Sequence, residues 1–417
     1  MTVTAASSAG TNWAGNHRYV AERLERPTSV EELQQLVART PLIRALGSRH
    51  SFTDLTDTTG VLVSLEAMPT VVEVDEQART ATVSGRAAYG EVAVALEAKG
   101  WALANLASLP HISVVGAVST GTHGSGVGNG SLATSVAALE IIGPDGELRR
   151  VARGDADFDG SVIGLGALGI VVRAELDIEP TYEVSQSLFT GISWERLEAD
   201  HDAITSSAYS VSLFTMWGDE GITQAWLKSR GEAPDEFFGG EPATATMHML
   251  AGAETEAVTQ QGGVPGPWLE RLPHFRMEFT PSRGEELQSE YLVPRDRAVE
   301  AVGRLRALRE RMEPVLQVCE LRTVKQDDLW LSSSYGHDVV GVHFTWDRDV
   351  PAVYAVLPAI EEALVPLGAR PHWGKCFAMT AESVAGLYPR MGDFLALRNR
   401  VDPDRKFDND FLRRVLG

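Results

Sequence analysis

The sequence predicts an α+β fold in two domains. Two observations carry this. Through about residue 180, strand-like segments alternate with segments of helical period; from there to about residue 376, short strands and a few longer helices replace that alternation. A chain of 417 residues is longer than one core usually organises, and its 44% apolar content suffices for a proper core in each part.

Element by element, residues 27–37 read as an amphipathic helix. Ser29 stands at its cap and Glu32 three residues on, the spacing of a capping box. The apolar run 42–46 reads as a strand, as do 61–65 and 81–85. Residues 89–99 read as a helix that Gly100 ends. Glu179-Pro180-Thr181 is the expected hinge out of this unit. Beyond it, 209–214 and 225–227 read as strands and 297–311 and 352–364 as helices. The Gly-, Pro-, Glu- and Ala-rich stretch 231–266 reads as a long surface excursion. No internal repeat or low-complexity tract is evident.

Composition narrows the function. A net charge of −20 argues against nucleic acid and anionic membrane surfaces as partners, and disfavours an anionic substrate unless a local basic pocket overrides it. No run is expected to be long and apolar enough to span a bilayer. The N-terminus shows neither the basic nor the apolar part of a signal peptide. Two cysteines, Cys319 and Cys376, make no disulfide framework. A cytoplasmic, monomeric chain without metal is the expectation.

The chemistry begins at Gly47-Ser48-Arg49-His50-Ser51-Phe52, a turn that presents a histidine at the end of the 42–46 strand. A lone histidine there is ordinarily a capping or core residue. About sixty residues on come Ala107-Ser108-Leu109-Pro110-His111 and then the run from Ser113 to Gly126, including Gly116, Thr120, Gly121, Thr122 and His123. That run has too much Gly, Ser and Thr for a core, and its backbone N–H groups suit a pyrophosphate. Two such loops point to a nucleotide cofactor held at two places. Gly164-Leu165-Gly166-Ala167-Leu168-Gly169 fits G-x-G-x-x-G, but β-branched Ile170-Val171-Val172 follows, so it reads as a turn entering a strand and not as a dinucleotide fingerprint.

Three later segments share a pattern. Glu320 and Arg322 fall on one face of a strand over 318–324; His343 and Thr345 fall on one face of a second over 341–346; a third over 370–376 ends in Lys375. If they are neighbours, a carboxylate, a guanidinium, an imidazole, a hydroxyl and an ammonium share one sheet face. Such a face is a poor core and a good pocket for a substrate with many hydroxyls. Taken singly, each pair reads as an exposed ion pair. Alternation turns Cys319 and Cys376 away from this face.

The loop 47–51 resembles the flavin-tethering loop of the vanillyl-alcohol-oxidase-type FAD enzymes. The three polar segments, with 107–111, resemble those of the alditol (xylitol) oxidases within that family. The likeness runs from Asn12-Trp13-Ala14-Gly15 to Lys406-Phe407 and is weakest over 231–266. It implies a two-domain fold: a PCMH-type FAD-binding domain over 1–180, completed by 377–417, and a substrate (cap) domain over 181–376 with a mixed or antiparallel sheet flanked by helices. It implies FAD bonded covalently to His50, with Gly47, Ser48, Arg49, Ser51, Ser108, Ser113, Gly116, Thr120, Gly121, Thr122, His123, Ile170 and His372 around the cofactor. Arg49 departs from the family's usual glycine, and would be strained if the position needs φ > 0. The implied reaction is oxidation of a linear polyol such as xylitol or sorbitol at its terminal carbon to the aldose, with O₂ reduced to H₂O₂. Lys375 and His343 are both candidates for the base, Arg322 for stabilising developing charge, and Glu320 for a neighbouring hydroxyl. Ser108 and Thr345 would bind hydroxyls further along the substrate. The implied pocket shows no apolar wall. The rival readings are an aldonolactone oxidase or dehydrogenase on the same flavin fold, a metal-dependent hydrolase using His111, His123, His343 and His372, and a non-catalytic flavin-binding protein.

Overall fold

A computed structural model describes residues 9–279 and 286–417. The stretch read for a signal peptide, residues 1–8, lies outside the described residues.

Helix Val30–Arg39 starts as its sequence predicts, with Ser29 Oγ accepting from the Glu32 amide at 3.2 Å. Glu32 Oε2, however, accepts from the Thr28 amide, so the box closes one residue early. Leu33, Leu36 and Val37 form its buried stripe against a three-stranded parallel sheet ordered Arg23–Glu25, Val61–Val63, Ile43–Ala45. A five-stranded antiparallel sheet follows, ordered Val72–Asp75, Thr80–Ser84, Ile170–Asp177, Val136–Ile142, Leu148–Ala152. Helix Tyr89–Glu97 packs on the main core, and Gly100 leaves it at φ +77°. Strand Ile170–Asp177 follows the glycine-rich turn directly, as its β-branched sequence requires.

The second unit is one antiparallel sheet of nine strands. Its main path runs Glu241–Pro242, Glu183–Ile192, Ile222–Ser229, Ser210–Thr215, Leu316–Val324, Val339–Asp347, Glu286–Pro294, Arg370–Pro371, with Gly266–Pro267 paired to the side of Glu183–Ile192. Apolar side chains on its back face, among them Cys319, Leu321, Phe344 and Trp346, join the main core with helices Ala298–Arg306 and Val350–Leu364. The chain then returns to the first unit. The Ile43 amide donates to Lys406 O, and Asn409 Nδ2 donates to the carbonyls of Asp54, Leu55 and Asp57. Buried Arg44 ties the same junction, donating to the carbonyls of Leu55, Leu165, Gly166 and Phe407.

Five expectations need correction or refinement. Glu179–Pro180 is no free hinge, because it pairs with Trp101–Ala102 in a small antiparallel ribbon. The helix expected over 297–311 is two, Ala298–Arg306 and Arg309–Met312. The strand expected over 370–376 ends at Pro371, where the chain turns through Trp373 and Gly374. The stretch 231–266 does run largely over the surface, but it is not all outward: Met247, Met249 and Leu250 fold back onto the front of the sheet against Leu188, Phe214, Trp226 and Val318. Residues 350–367 do reach the length and apolarity of a bilayer span, with mean hydropathy 1.5. Here Val353, Leu357, Ile360 and Leu364 bury one stripe of that helix in the core.

Candidate active site

A cavity of about 590 Å³ separates the two loops of the first unit from the front face of the nine-stranded sheet. That is ample for a small-molecule site. Gly47, Ser48, Arg49, His50, Ser51, Ser108, Ser113, Gly116, Thr120, Thr122 and His123 line one side, and Glu290, Glu320, Arg322, His343, Thr345, His372 and Lys375 line the other. Two expected cofactor neighbours do not line it. Ile170 is buried with Leu33, Val37 and Ile43 in the core behind the parallel sheet. Gly121 turns at φ +69°, where an added Cβ would lie 3.3 Å from Ile163.

The His50 loop is held by contacts the sequence explains. Arg49 does adopt φ +64°, the strained region for a side chain with a Cβ. Its guanidinium offsets the strain by bonding to the carbonyls of Ala9 and Thr11 and lying over the Tyr19 ring, 5.5 Å from the centroid. The two loops are bolted together where the Ser113 amide donates to Ser48 Oγ at 3.1 Å. A Cβ on Gly47 or Gly116 would stand 2.8 or 2.6 Å from Ser113 Oγ, so a side chain at either site would turn that hydroxyl out of its present place. His50 stacks on Trp13 with ring centroids 5.2 Å apart. Its Nδ1 is buried and meets no partner in normal hydrogen-bond geometry. Burial pushes its pKa down to about 4, which leaves a neutral imidazole in the cavity wall. A neutral imidazole with an unspent nitrogen, beside a glycine cradle rich in hydroxyls, fits FAD.

Sheet register builds the opposite wall. Phe214, Glu320, His343 and Glu290 stand directly across from one another on four neighbouring strands. The next row is Val318, Thr345 and Gln288, and the row on the other side holds Arg322 and Gly341. All share the front face, because side chains alternate along a strand. Lys375 comes from the turn after Pro371, where the Cys376 amide donates to Gln288 O at 2.8 Å. The five polar groups expected to converge therefore do so.

At their centre is Glu290, which the sequence analysis missed. It is 1% exposed and accepts from Lys375 Nζ at 2.6 Å and Arg322 Nη2 at 3.1 Å, with His123 Nε2 3.1 Å and His343 Nδ1 3.5 Å away. Burial raises its pKa, but Lys375, His123 and Arg322 outweigh that and hold it well below the carboxylate range. Lys375 is lowered by burial against the opposing pull of Glu290. Its Nζ also touches His343 Nδ1, while His343 Nε2 lies 3.3 Å from Thr345 Oγ1. Burial and then Lys375 bring His343 down to about 4. Arg322 Nη1 reaches Ser108 Oγ at 3.3 Å. Glu320 Oε1 faces His274 Nε2 at 2.9 Å, and its other oxygen lies 3.6 Å from Arg322 Nε. His274 and Lys228 behind it were also missed. An acid before Tyr291-Leu292-Val293 and a lysine ending Ala225-Trp226-Leu227 were the available signals: charges closing runs that otherwise read as core.

The cavity does have an apolar wall, contrary to expectation. Phe214, Val318, Met249, Leu250 and Phe275 supply it, the last three from the inward side of the 231–266 stretch and its continuation. Cys319 and Cys376 are buried, and burial raises both thiols, Cys376 to about 11. Among the described residues, no three His, Cys, Asp or Glu side chains gather in a metal-holding group. His111 is turned away to Met277 O at 2.9 Å.

Comparison with known proteins agrees with this geometry. An FAD binding domain model matches residues 21–152, and a D-arabinono-1,4-lactone oxidase model matches residues 280–415. The chain is 49% identical over 415 residues to an alditol oxidase of Streptomyces sp. (strain IKD472 / FERM P-14339), covering 98% of this chain and 99% of that one. It is 29% identical to an L-gulono-1,4-lactone dehydrogenase of Mycobacterium tuberculosis, covering 97% and 98%, and 25% identical to the L-gulonolactone oxidase of Bos taurus, covering 97% of each. Among solved structures it resembles cholesterol oxidase from B. sterolicum with a TM-score of 0.77 at 15% identity, over 98% of this chain and 96% of the other, a likeness of fold.

Proposed function

This chain belongs to the alditol oxidase family of FAD-dependent oxidoreductases, and on that premise we propose that it oxidises linear polyols of the xylitol and sorbitol type at a terminal carbon, with O₂ as acceptor and H₂O₂ as co-product. The single observation that carries the reading is the front face of the sheet, where Glu320, Arg322, His343, Thr345 and Lys375 meet across one cavity from His50.

FAD supplies the hydride acceptor when bound, and the loops at 47–51 and 113–123 would hold it, with His50 as its covalent tether. The neutral state of His50 supports the tether, since only an unprotonated nitrogen is nucleophilic. Ser108, Glu320, Arg322 and Thr345 orient the substrate hydroxyls, while Phe214, Val318 and Phe275 exclude water along its carbon side. The proton of the reacting hydroxyl passes to the Lys375–His343 pair. The two nitrogens touch and share one environment, so they titrate as a unit and the pair is the base. Arg322, buried and paired with two carboxylates, keeps its charge and faces negative charge developing on the substrate oxygen. A monomeric state and a cytoplasmic location belong to the same proposal, supported by the acidic charge and by two unpaired buried cysteines.

The D-arabinono-1,4-lactone oxidase match over 280–415 favours the second reading, an aldonolactone oxidase or dehydrogenase. Comparing kcat/KM for xylitol, glycerol and a gulono-1,4-lactone on one preparation in air separates them. Xylitol should lead, glycerol should be far weaker because fewer hydroxyls meet partners, and the lactone should be poorest. A lactone turning over fastest would overturn the alditol reading.

A further inference from the structure

Lys228 ends the run Ala225-Trp226-Leu227 with its side chain on the front face of the sheet, and it is 1% exposed. Among the described residues no carboxylate forms an ion pair with it. Its Nζ instead donates to Leu272 O and to Pro273 O at 3.2 Å, and it meets His274 Nδ1 at 2.9 Å. An ammonium has three donors and no acceptor, so all three are spent and His274 Nδ1 must accept. A neutral imidazole that accepts at Nδ1 carries its proton on Nε2. That nitrogen lies 2.9 Å from Glu320 Oε1. The ring is fixed between Trp226 and Phe214, at centroid distances of 5.1 and 6.0 Å. Glu320 thus receives a donor from behind and keeps its other oxygen toward Arg322 and the cavity.

We propose that Lys228 is a positioning residue which, by fixing the His274 tautomer, holds Glu320 as a carboxylate turned to the cavity, and that loss of the Lys228 proton releases this hold. An uncharged amine keeps two N–H groups for the two carbonyls and gains a lone pair. His274 can then donate from Nδ1, with one proton gone from Lys228 to solvent and one moved within the ring from Nε2 to Nδ1. Its bare Nε2 now faces a carboxylate, acceptor against acceptor, and the contact opens. Burial brings Lys228 down to about 7, with Glu320 opposing and Arg322 adding to the shift, so the release falls near neutrality. The groups facing Lys228 are Glu320 and Arg322 on Leu316–Val324, one strand beyond Ser210–Thr215, His274 with its preceding carbonyls, and uncharged Gln186 and Ser210 beside it in register. Burial holds His274 itself down at about 4, so it stays neutral throughout.

The effect on turnover rests on the alditol reading; the tautomer does not. With isotope-labelled imidazole nitrogens in the flavin-loaded enzyme, His274 should show Nε2 protonated and Nδ1 as acceptor at about pH 6, and should change form as the pH passes about 7. Lys228→Met should mix the tautomers at every pH, lower kcat/KM for xylitol by about 10- to 100-fold, and erase the limb near neutrality from its pH profile. His274→Gln offers Glu320 an N–H without help from Lys228, so Lys228→Met on that background should cost less than about two-fold more. Wild-type His274 protonated on Nδ1 at about pH 6, an unchanged pH profile in Lys228→Met with a native flavin spectrum, or fully additive losses would each overturn the proposal. If no polyol is turned over at all, the alditol reading fails while the imidazole spectrum still decides the tautomer.

Discussion

Replacing Glu290 probes the centre of the site. In Glu290→Ala, Lys375 and Arg322 each lose a charge-assisted bond, at 2.6 and 3.1 Å, and stay buried. Stranding a buried charge by removing its partner costs about 3–5 kcal/mol. With an unfolding entropy of about 2.1 cal/mol/K per residue, that lowers Tm by roughly 3–6 °C for a chain of 417 residues. Glu290→Gln keeps the volume but removes the charge and turns an N–H₂ toward a cation. It also removes the pull that holds Lys375 protonated against burial, so the upper pH limit for the ammonium moves down. Thermal melts of flavin-loaded protein and kcat/KM for xylitol across pH read both effects. Gly341→Ala is an independent check, because its Cβ would sit 2.8 Å from Glu290 Oε1 and push the same carboxylate. A Tm within about 1 °C of wild type and kcat/KM within about two-fold for both Glu290 variants would refute the central role given to this carboxylate.

His50→Ala should bind flavin without tethering it, so denatured precipitate loses its yellow colour; colour that stays in the pellet means another attachment point. Arg49→Gly should relieve the strain at φ +64° while losing the bonds to Ala9 and Thr11, and Arg49→Ala should lose those bonds without relief. Denaturant melts should therefore rank Ala below Gly, and the opposite order would contradict the strain. Cys319→Ser with Cys376→Ser should keep turnover nearly intact, since both thiols are buried, with pKa values raised by burial; inactivation by a thiol-blocking reagent in the folded enzyme would argue otherwise. Lys228 binds its proton less tightly folded than unfolded, so the unfolded chain holds more protons between about 7 and the ordinary lysine value of 10.5, and stability gains from this residue as pH rises through that window. The wild-type minus Lys228→Met difference in unfolding free energy should grow over that range, and a difference that shrinks would reverse the sign.

Local signals were legible where local chemistry decides. The Ser29 cap, the Gly100 stop, the β-branched run after Gly169 and the period-two placement of Glu320/Arg322 and His343/Thr345 follow from short-range rules. The strained conformation of Arg49 could be suspected because the residue stands where relatives carry glycine. Glu290 was not legible, because its four polar neighbours come from two separate strands and two loops, and only the tertiary fold brings them together. The inward-facing residues of 231–266 were hidden for a related reason. Its composition suits a loop, but Met247, Met249 and Leu250 gain burial only once the sheet beneath them exists. Lys375 was found through its neighbours, although the strand expected to carry it is a two-residue bridge followed by a turn.

Mixing the purified, flavin-loaded protein with one equivalent of xylitol without air tests polyol oxidation most directly. The yellow absorbance should bleach, and admitting air should restore it with one peroxide formed for each polyol consumed. Colour that xylitol leaves unchanged, but a gulono-1,4-lactone bleaches, would contradict the assignment of this site to alditols.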